Sequence, residues 1–266
     1  MILPTSITER AALFWQGCAI LIAGLLFGVA PSLAWSQTAD DLVVDCGAIA
    51  PRGDGKNDSK AISNCLCTQK RAILAEGQFF LKQPIFFPRQ AKNPDPAQCT
   101  FAEVGDVVLA GRGNTTVLNV KADCGAGHWP FVAGTESSPN PKYEVVVSAF
   151  KAQRSTIRDL KIDLSNLRQD CNPAWRGNFA VQVHTSPGST VSGLTVVGNQ
   201  ATTGGANGGG INAINSPGTQ VANNTIRDVG FTLEAGTTST GNAGIRMDNS
   251  GCDGPACSVV DGNVIR

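Results

Sequence analysis

Apolar and polar residues alternate along three short segments of the chain that are similar to one another. Residues 181–191, 211–221 and 245–250 begin with this alternation, and the first two continue into Ser-Pro-Gly and a second short apolar run. Alternation with a period of two predicts a β-strand, and Pro-Gly predicts a turn. One such repeat is too small to bury its own inner face, whereas stacked copies bury a continuous core. The pattern therefore predicts an all-β chain whose coils stack as a parallel β-helix.

The repeats align so that their aliphatic residues fall into columns. Two columns hold aliphatic residues on every rung, with rungs about 4.8 Å apart as a sheet requires. A third column changes from Leu to Asn, which predicts an asparagine ladder because a buried amide must bond to its neighbours. The alternative, a β-sandwich containing two similar hairpins, predicts hairpin turns about 10 residues apart. The columns are Ile157, Val191, Val221 and Val260; Ile162, Val196, Ile226 and Ile265; and Leu160, Leu194, Asn224 and Asn263.

Residues 1–36 have the pattern of a secretory signal peptide. Arg10 precedes an apolar segment that Pro31 ends, and Ala34 and Ser36 place small residues where a signal peptidase cleaves. The alternative is an uncleaved anchor, because the apolar segment is almost long enough to span a bilayer. If the signal peptide is cleaved, the sequence predicts a secreted protein that is extracellular or periplasmic and no longer contacts a membrane.

The cysteine content agrees with export. Of nine cysteines, Cys18 lies in the signal segment, and the even number left predicts disulfides whose connectivity the sequence leaves open. Cys252 and Cys257 bracket a short Gly-Pro insert and form the one predicted pair. Cys65 and Cys67 are too close together for a zinc knuckle, so neither a metal site nor a cofactor is predicted.

Charge and length limit the classes of partner and fold. Lys plus Arg number 21, and so do Asp plus Glu, so nucleic acid and anionic membrane surfaces are not expected partners. The 266 residues suit one repeat domain. Residues 37–104 are interpreted as an N-terminal cap with the first strands, including a helix over 60–71 capped by Asp58 or Ser59. Residues 105–266 are interpreted as the coils.

The order of motifs after the signal segment resembles the pectate-lyase-like superfamily of right-handed β-helix proteins. The branch it resembles most includes polygalacturonase-related hydrolases and phage tailspikes. The resemblance implies a right-handed parallel β-helix with an N-terminal capping helix, in a superfamily that hosts many activities. The matching elements are Asp45 to Ala48, Gly53 to Gly55, Asp58 with Ser59, Gly77 to Phe79, and Leu109 to Leu118.

Polar residues of the strands align into two rows across the coils. Alternate residues of a strand point outward, and stacking superposes them from one coil to the next. Such rows suit a polysaccharide, whose hydroxyls need repeated hydrogen bonds, and Trp175 in a neighbouring connection suits stacking on a sugar ring. The first row holds Ser148, Gln182, Asn212 and Arg246, and the second row holds Phe150, His184, Ile214 and Asp248.

These rows predict a carbohydrate-active enzyme that cleaves an extracellular polysaccharide, with hydrolysis favoured over elimination. Asp248 is the candidate acid and His184 the assisting group, while Arg246, Asn212 and Gln182 are candidates for binding substrate. Around Arg246 the sequence is similar to the Gly-x-Arg-Ile-Lys segment of polygalacturonases, which implies a pectin-like or other uronate-containing glycan.

A non-catalytic adhesin or carbohydrate-binding surface protein is the alternative, because the rows contain no second acid. The sequence also stops midway through a repeat. Further coils, or an oligomer formed through an uncapped C-terminal coil, are therefore expected.

Overall fold

The structure is a computed structural model of the chain, and every residue it describes lies in the compact unit Val43–Arg266. The described residues are 45–53, 56–120, 144–165, 178–198, 200–201, 208–231, 243–253 and 256–266.

The described chain consists of short β-strands, one α-helix and one 3₁₀-helix. The α-helix α1 covers Ser59–Gln69, and the 3₁₀-helix covers Pro96–Gln98. In chain order the strands are β1 Arg71–Ile73, β2 Gly77–Leu81, β3 Ile85–Phe86, β4 Arg89–Gln90, β5 Thr100–Phe101, β6 Val108–Val120, β7 Glu144–Phe150, β8 Thr156–Asp163, β9 Asn178–His184, β10 Thr190–Ser192, β11 Thr195–Val197, β12 Gln200–Ala201, β13 Gly208–Ile214, β14 Gln220–Ala222, β15 Thr225–Arg227, β16 Gly230–Phe231, β17 Ala243–Asp248, β18 Cys252–Asp253, β19 Ala256–Cys257, β20 Val259–Asp261 and β21 Val264–Ile265.

Each repeat pairs in parallel with the next repeat. Strands β17, β13, β9, β7 and β3 form a five-stranded sheet in that order, and a ten-stranded sheet contains the series β20-β14-β10-β8-β11-β15-β21. Neighbouring strands of each series belong to successive repeats. The five-stranded sheet takes one strand from each repeat, whereas the ten-stranded sheet takes two, such as β10 and β11 on either side of β8. The prediction of an all-β chain built from parallel sheets is confirmed.

The alignment of the aliphatic columns is confirmed residue by residue. Val191 pairs with Ile157 on one side and with Val221 on the other, and Val221 pairs with Val260. The second column pairs in the same way along β8, β11, β15 and β21. Most of these side chains are fully buried in one continuous apolar cluster, which is why the branched residues recur on each rung.

The predicted asparagine ladder is present. Asn224 is buried, its Oδ1 accepts a hydrogen bond from the Leu194 amide at 2.9 Å, and its Nδ2 donates to Asn263 Oδ1 at 2.9 Å. Asn263 Nδ2 in turn donates to the Val221 carbonyl at 2.8 Å. The two amide side chains therefore satisfy backbone groups at a turn where the strands cannot pair.

The Ser-Pro-Gly turns are held by hydroxyl ladders that the sequence analysis did not predict. The hydroxyls of Ser186, Ser216 and Ser250 accept hydrogen bonds from the backbone amides of Ala152, Ser186 and Ser216, one repeat earlier. A second ladder lies three residues further along each turn and includes Ser189, whose hydroxyl accepts from the Ser155 amide. These bonds fix the corner between the two sheets on the coils that contain Ser186, Ser216 and Ser250.

The N-terminal helix covers Ser59–Gln69, two residues shorter at its C-terminus than predicted. Asp58 stands at the N-cap, but its side chain makes no capping bond. Its buried carboxylate instead accepts from the Phe80 amide at 2.8 Å and the Arg52 amide at 3.1 Å. Asp58 therefore ties the helix to strand β2, and burial raises the pKa of its carboxyl group.

Three disulfides join described cysteines. The predicted pair Cys252–Cys257 is confirmed and closes the hairpin of β18 and β19. The other two join residues of the cap, Cys46–Cys65 and Cys67–Cys99. Within the described ranges, no helix is both long and apolar enough to cross a bilayer.

Candidate functional site

The two rows of aligned side chains lie on one face of the five-stranded sheet, called here the polar face. Strand register places Gln182 between Ser148 and Asn212, and Asn212 beside Arg246. The same pairings align the second row from Phe150 to Asp248. Alternate residues of these strands, such as Val183 and Ala213, belong to the apolar core, so the two rows point the other way.

Most of the polar face is buried, whereas the sequence predicted outward-pointing side chains that a polysaccharide could reach. Relative exposure is 2% for Ser148, 1% for Gln182, 4% for His184 and 0% for Asn212. The strands also carry apolar residues on both faces, with Val145, Val146 and Val147 all buried in β7. Parallel sheets are commonly covered on both sides, and this sheet follows that rule at these rungs.

Five polar atoms of this face have no hydrogen-bond partner in the described structure. They are Ser148 Oγ, Gln182 Nε2, His184 Nδ1, and both Oδ1 and Nδ2 of Asn212. Buried polar groups are nearly always paired, because an unpaired one costs about 1–3 kcal/mol. Ser148, Gln182 and Asn212 occupy three successive rungs of one row, so the unpaired atoms form a line of donors and acceptors.

His184 is held in an apolar and electropositive setting. Its ring centroid lies 5.1 Å from that of Phe150, one rung away, at an interplanar angle of 56°. Burial lowers the pKa of His184, and the nearby Lys151 ammonium lowers this pKa further. The imidazole is therefore neutral at neutral pH and keeps a nitrogen able to accept a proton.

Arg246 and Asp248 form the accessible part of the polar face. Arg246 Nη2 lies 2.7 Å from Asp248 Oδ2, and the two side chains are 34% and 41% exposed. They stand two positions apart on strand β17, which places both on the same side of it. Asp248 and His184 share the second row, two rungs or about 10 Å apart along the sheet, with Ile214 between them.

One predicted site residue is not described by the structure, and two residues beside the site were not predicted. Trp175 lies outside the described residues, so the structure brings together five of the six predicted site residues. Phe150 and Lys151 were not assigned a role from the sequence, although Lys151 Nζ lies 5.3 Å from the centroid of the Phe150 ring. The sequence does carry a sign of this contact, because an aromatic residue is followed directly by a basic one at the end of a strand.

No three His, Cys, Asp or Glu side chains cluster closely enough to hold a metal ion within the ranges described. The groups of the site are a buried line of uncharged donors and acceptors, a neutral imidazole and a carboxylate paired with a guanidinium. Such a set can hydrogen-bond hydroxyl groups, hold an anionic substituent at Arg246 and exchange a proton at His184 or Asp248.

Comparison with protein-family models, with curated proteins and with solved structures gives no match to this chain.

Proposed function

We propose that the chain is a right-handed parallel β-helix of the pectate-lyase-like type. The proposal is supported by the parallel pairing of successive repeats in register and by the ladders at two of its turns. Three disulfides suit an oxidising compartment, in agreement with secretion after removal of residues 1–36.

On this fold we propose a carbohydrate-active protein that binds an extracellular polysaccharide at the accessible part of the polar face and hydrolyses it. The observation that carries the proposal is the pair of Arg246 and Asp248, whose side chains are 34% and 41% exposed and lie 2.7 Å apart. A guanidinium group donates hydrogen bonds to hydroxyl or carboxylate oxygens of a sugar, and a carboxylate accepts them from sugar hydroxyls. Asn212 lies one rung away but is buried, so the two exposed side chains bind the glycan.

In the hydrolytic form of the proposal, water attacks the anomeric carbon while the glycosidic C–O bond breaks. Asp248, in its protonated form, gives its proton to the leaving oxygen, and His184 accepts the proton that the attacking water releases. Arg246 holds the Asp248 carboxyl group in position or binds a uronate carboxylate. Hydrolysis by the paired-acid mechanism needs two carboxyl groups about 5 to 9.5 Å apart. Asp248 is the only carboxylate on this face among the side chains that the structure describes, so His184 takes the second role here.

A non-catalytic glycan-binding function is the second candidate, and one observation favours it. The carboxylate of Asp248 is already paired with Arg246 at 2.7 Å. An ion pair on a half-exposed surface binds an acidic or hydroxylated ligand without any chemistry.

Cleavage assays separate the two functions. The secreted protein is incubated with pectins, alginates and neutral glycans while new reducing ends and the ultraviolet absorbance of unsaturated sugars are followed. Hydrolysis predicts reducing ends without absorbance, lost in Asp248→Asn and retained in the matched control Asp228→Asn, whose exposed carboxylate follows strand β15. Absorbance would indicate elimination instead and would overturn the hydrolase.

Binding assays with the same glycans complete the test. Binding without cleavage, weakened by Arg246→Ala, would support the second candidate. A folded protein that neither binds nor cleaves any glycan would refute both functions.

A further inference from the structure

The disulfide Cys252–Cys257 is the exposed bridge among the three that join described cysteines. Both of its cysteines are exposed, and they lie directly opposite each other across the hairpin of β18 and β19. A disulfide exchanges when a thiolate reaches one of its sulfur atoms, so access from solvent controls the rate. An incoming thiol can therefore reach this bridge while the chain stays folded.

The two disulfides of the N-terminal cap are less accessible. Cys46 and Cys65 are 4% and 2% exposed and belong to the apolar core. Cys67 and Cys99 are half-buried. A buried bridge reacts only in the fraction of molecules in which the surrounding structure has opened. The three described disulfides are therefore expected to differ in their rate of reduction, with the bridge of the hairpin reacting fastest.

The hairpin bridge also constrains the unfolded chain less than the other two bridges do. It joins cysteines five residues apart, whereas the cap bridges join cysteines 19 and 32 residues apart. The entropy that a disulfide removes from the unfolded chain grows with the length of the loop that it closes. Opening the shortest loop therefore removes the least stability, so the coils depend on this bridge less than the cap depends on its two bridges.

Hydrogen bonds anchor both ends of the hairpin without the disulfide. The Ser250 hydroxyl accepts from the Ser216 amide, and the Ser258 hydroxyl accepts from the Thr219 amide, each at 3.0 Å. The Ser258 amide also donates to the Gly251 carbonyl at 3.0 Å, which closes the base of the hairpin. None of these bonds involves an atom of the bridge, so the coil keeps its register when the two sulfur atoms separate.

We propose that Cys252 and Cys257 form a site of reversible thiol modification, whose reactant is a small thiol of the glutathione type. The small thiolate attacks one sulfur atom of the bridge, the S–S bond breaks, and its electron pair leaves with the other sulfur atom as a thiolate. The product is a mixed disulfide. A second small thiolate attacks the small-molecule sulfur of this mixed disulfide, which releases the oxidised small-molecule disulfide and the second cysteine thiolate. The two cysteines thus gain two electrons and two protons, and two small thiols lose them.

The modification concerns an insert of the third repeat, where the hairpin stands in place of the Pro-Gly turn of the other two repeats. The mixed disulfide carries a tripeptide-sized group at the surface, and thiol exchange removes it again. Neither state requires the polar face, so the inference is independent of the proposed function.

Alkylation of the folded chain tests the site. The oxidised full chain is incubated with reduced glutathione, free thiols are trapped with iodoacetamide at intervals, and tryptic peptides are analysed by mass spectrometry without further reduction. Trypsin releases both hairpin cysteines on peptide 247–266, whereas Cys65 and Cys67 share peptide 61–70. We expect the hairpin peptide to be alkylated at least about tenfold faster than the cap peptide, because only the cap must open first. A glutathione adduct on the hairpin peptide would identify the mixed disulfide.

Two controls separate access from unfolding. In guanidinium chloride both bridges are accessible, and we expect the hairpin and cap peptides to be alkylated at similar rates. In Cys252→Ser/Cys257→Ser we expect the cap peptide to be alkylated as in the native chain. Far-ultraviolet circular dichroism of this variant, and of the glutathione-treated native chain, should match that of the untreated native chain because the coils remain folded.

Three results would overturn the inference. They are equal rates of alkylation for the hairpin and cap peptides in the folded chain, a hairpin bridge that reacts only in guanidinium chloride, and reduction of that bridge accompanied by unfolding of the coils. The experiment measures neither binding nor cleavage of a glycan. Its failure therefore leaves the proposed function unchanged, and failure of the glycan assays leaves the exchange site unchanged.

Discussion

Replacing Asn224 with leucine tests whether the asparagine ladder stabilises the stacked coils. Leucine occupies the same column at Leu160 and Leu194, so it suits the site in size and in surroundings. In the native chain Asn224 Oδ1 accepts from the Leu194 amide at 2.9 Å, and Nδ2 donates to the Val191 carbonyl at 3.0 Å. Asn224→Leu removes both bonds and leaves the two backbone groups buried without those partners.

The expected effect follows from opposing contributions. An unpaired buried amide costs about 1–3 kcal/mol, and the carbonyl and the lost bond to Asn263 add to that cost. Burying the larger apolar side chain returns about 2 kcal/mol. We therefore expect Asn224→Leu to lower the free energy of unfolding by about 2 kcal/mol. Asn224→Ala should cost more, because it loses the same bonds without the apolar gain.

Equilibrium urea unfolding followed by far-ultraviolet circular dichroism measures this difference. Gln220→Leu is the matched control, because Gln220 is exposed on strand β14 in the same coil, and we expect a change within about 0.5 kcal/mol. The reasoning would be refuted if Asn224→Leu were as stable as the native chain, since leucine would then serve this column as well as asparagine does.

Three further predictions concern the site and the turns. Because the pKa of His184 is lowered in the folded chain, the unfolded chain takes up a proton on this histidine at a higher pH than the folded chain does. The free energy of unfolding should therefore fall as the pH drops below about 6.5. His184→Gln should make the free energy of unfolding depend less on pH, as measured by urea unfolding at several pH values. Ser216→Ala leaves the Ser186 amide without its acceptor and should cost about 1–2 kcal/mol by the same assay. Replacing Cys252 and Cys257 with serine should cost about 2 kcal/mol, because the bridge closes a short loop, and a lower thermal midpoint would report it.

The register of the coils could be predicted from the sequence because it follows from periodicity alone. Val191, Val221 and Val260 are branched residues at matching places in similar segments, and parallel strands must superpose them to close the core. The ladder of Asn224 and Asn263 was predictable for a related reason. An amide at a buried position has few partners other than the amide and backbone groups of adjacent rungs.

The burial of the polar face could not be predicted in the same way. Alternation assigns Gln182 and His184 to one side of a strand, but it does not say what lies over that side. Part of this burial was indicated by two segments in which consecutive residues, and hence residues of both faces, are apolar. These segments are 145–147 in β7 and 179–181 in β9. Continuous runs of this kind indicate a sheet covered on both sides.

The turns were recognised from Pro and Gly, yet the serine beside them determines the geometry. Pro187 and Gly188 explain why the chain changes direction, since Pro restricts φ and Gly188 has a φ of 68°. They do not explain why successive coils turn at the same place along the sheet. The hydroxyl of Ser186 explains this, because it accepts a hydrogen bond from the Ala152 amide of the preceding coil at 2.9 Å.

The insert in the third repeat shows which of these features the fold requires. Between Ser250 and Ser258 the Pro-Gly pair is replaced by a hairpin with its own disulfide, and the bond of the second ladder spans 39 residues there, compared with 34 between Ser155 and Ser189. Ser250 still accepts from the Ser216 amide, and Ser258 still accepts from the Thr219 amide, each at 3.0 Å. The hydroxyl ladders therefore hold the coil in register while the length of the turn changes.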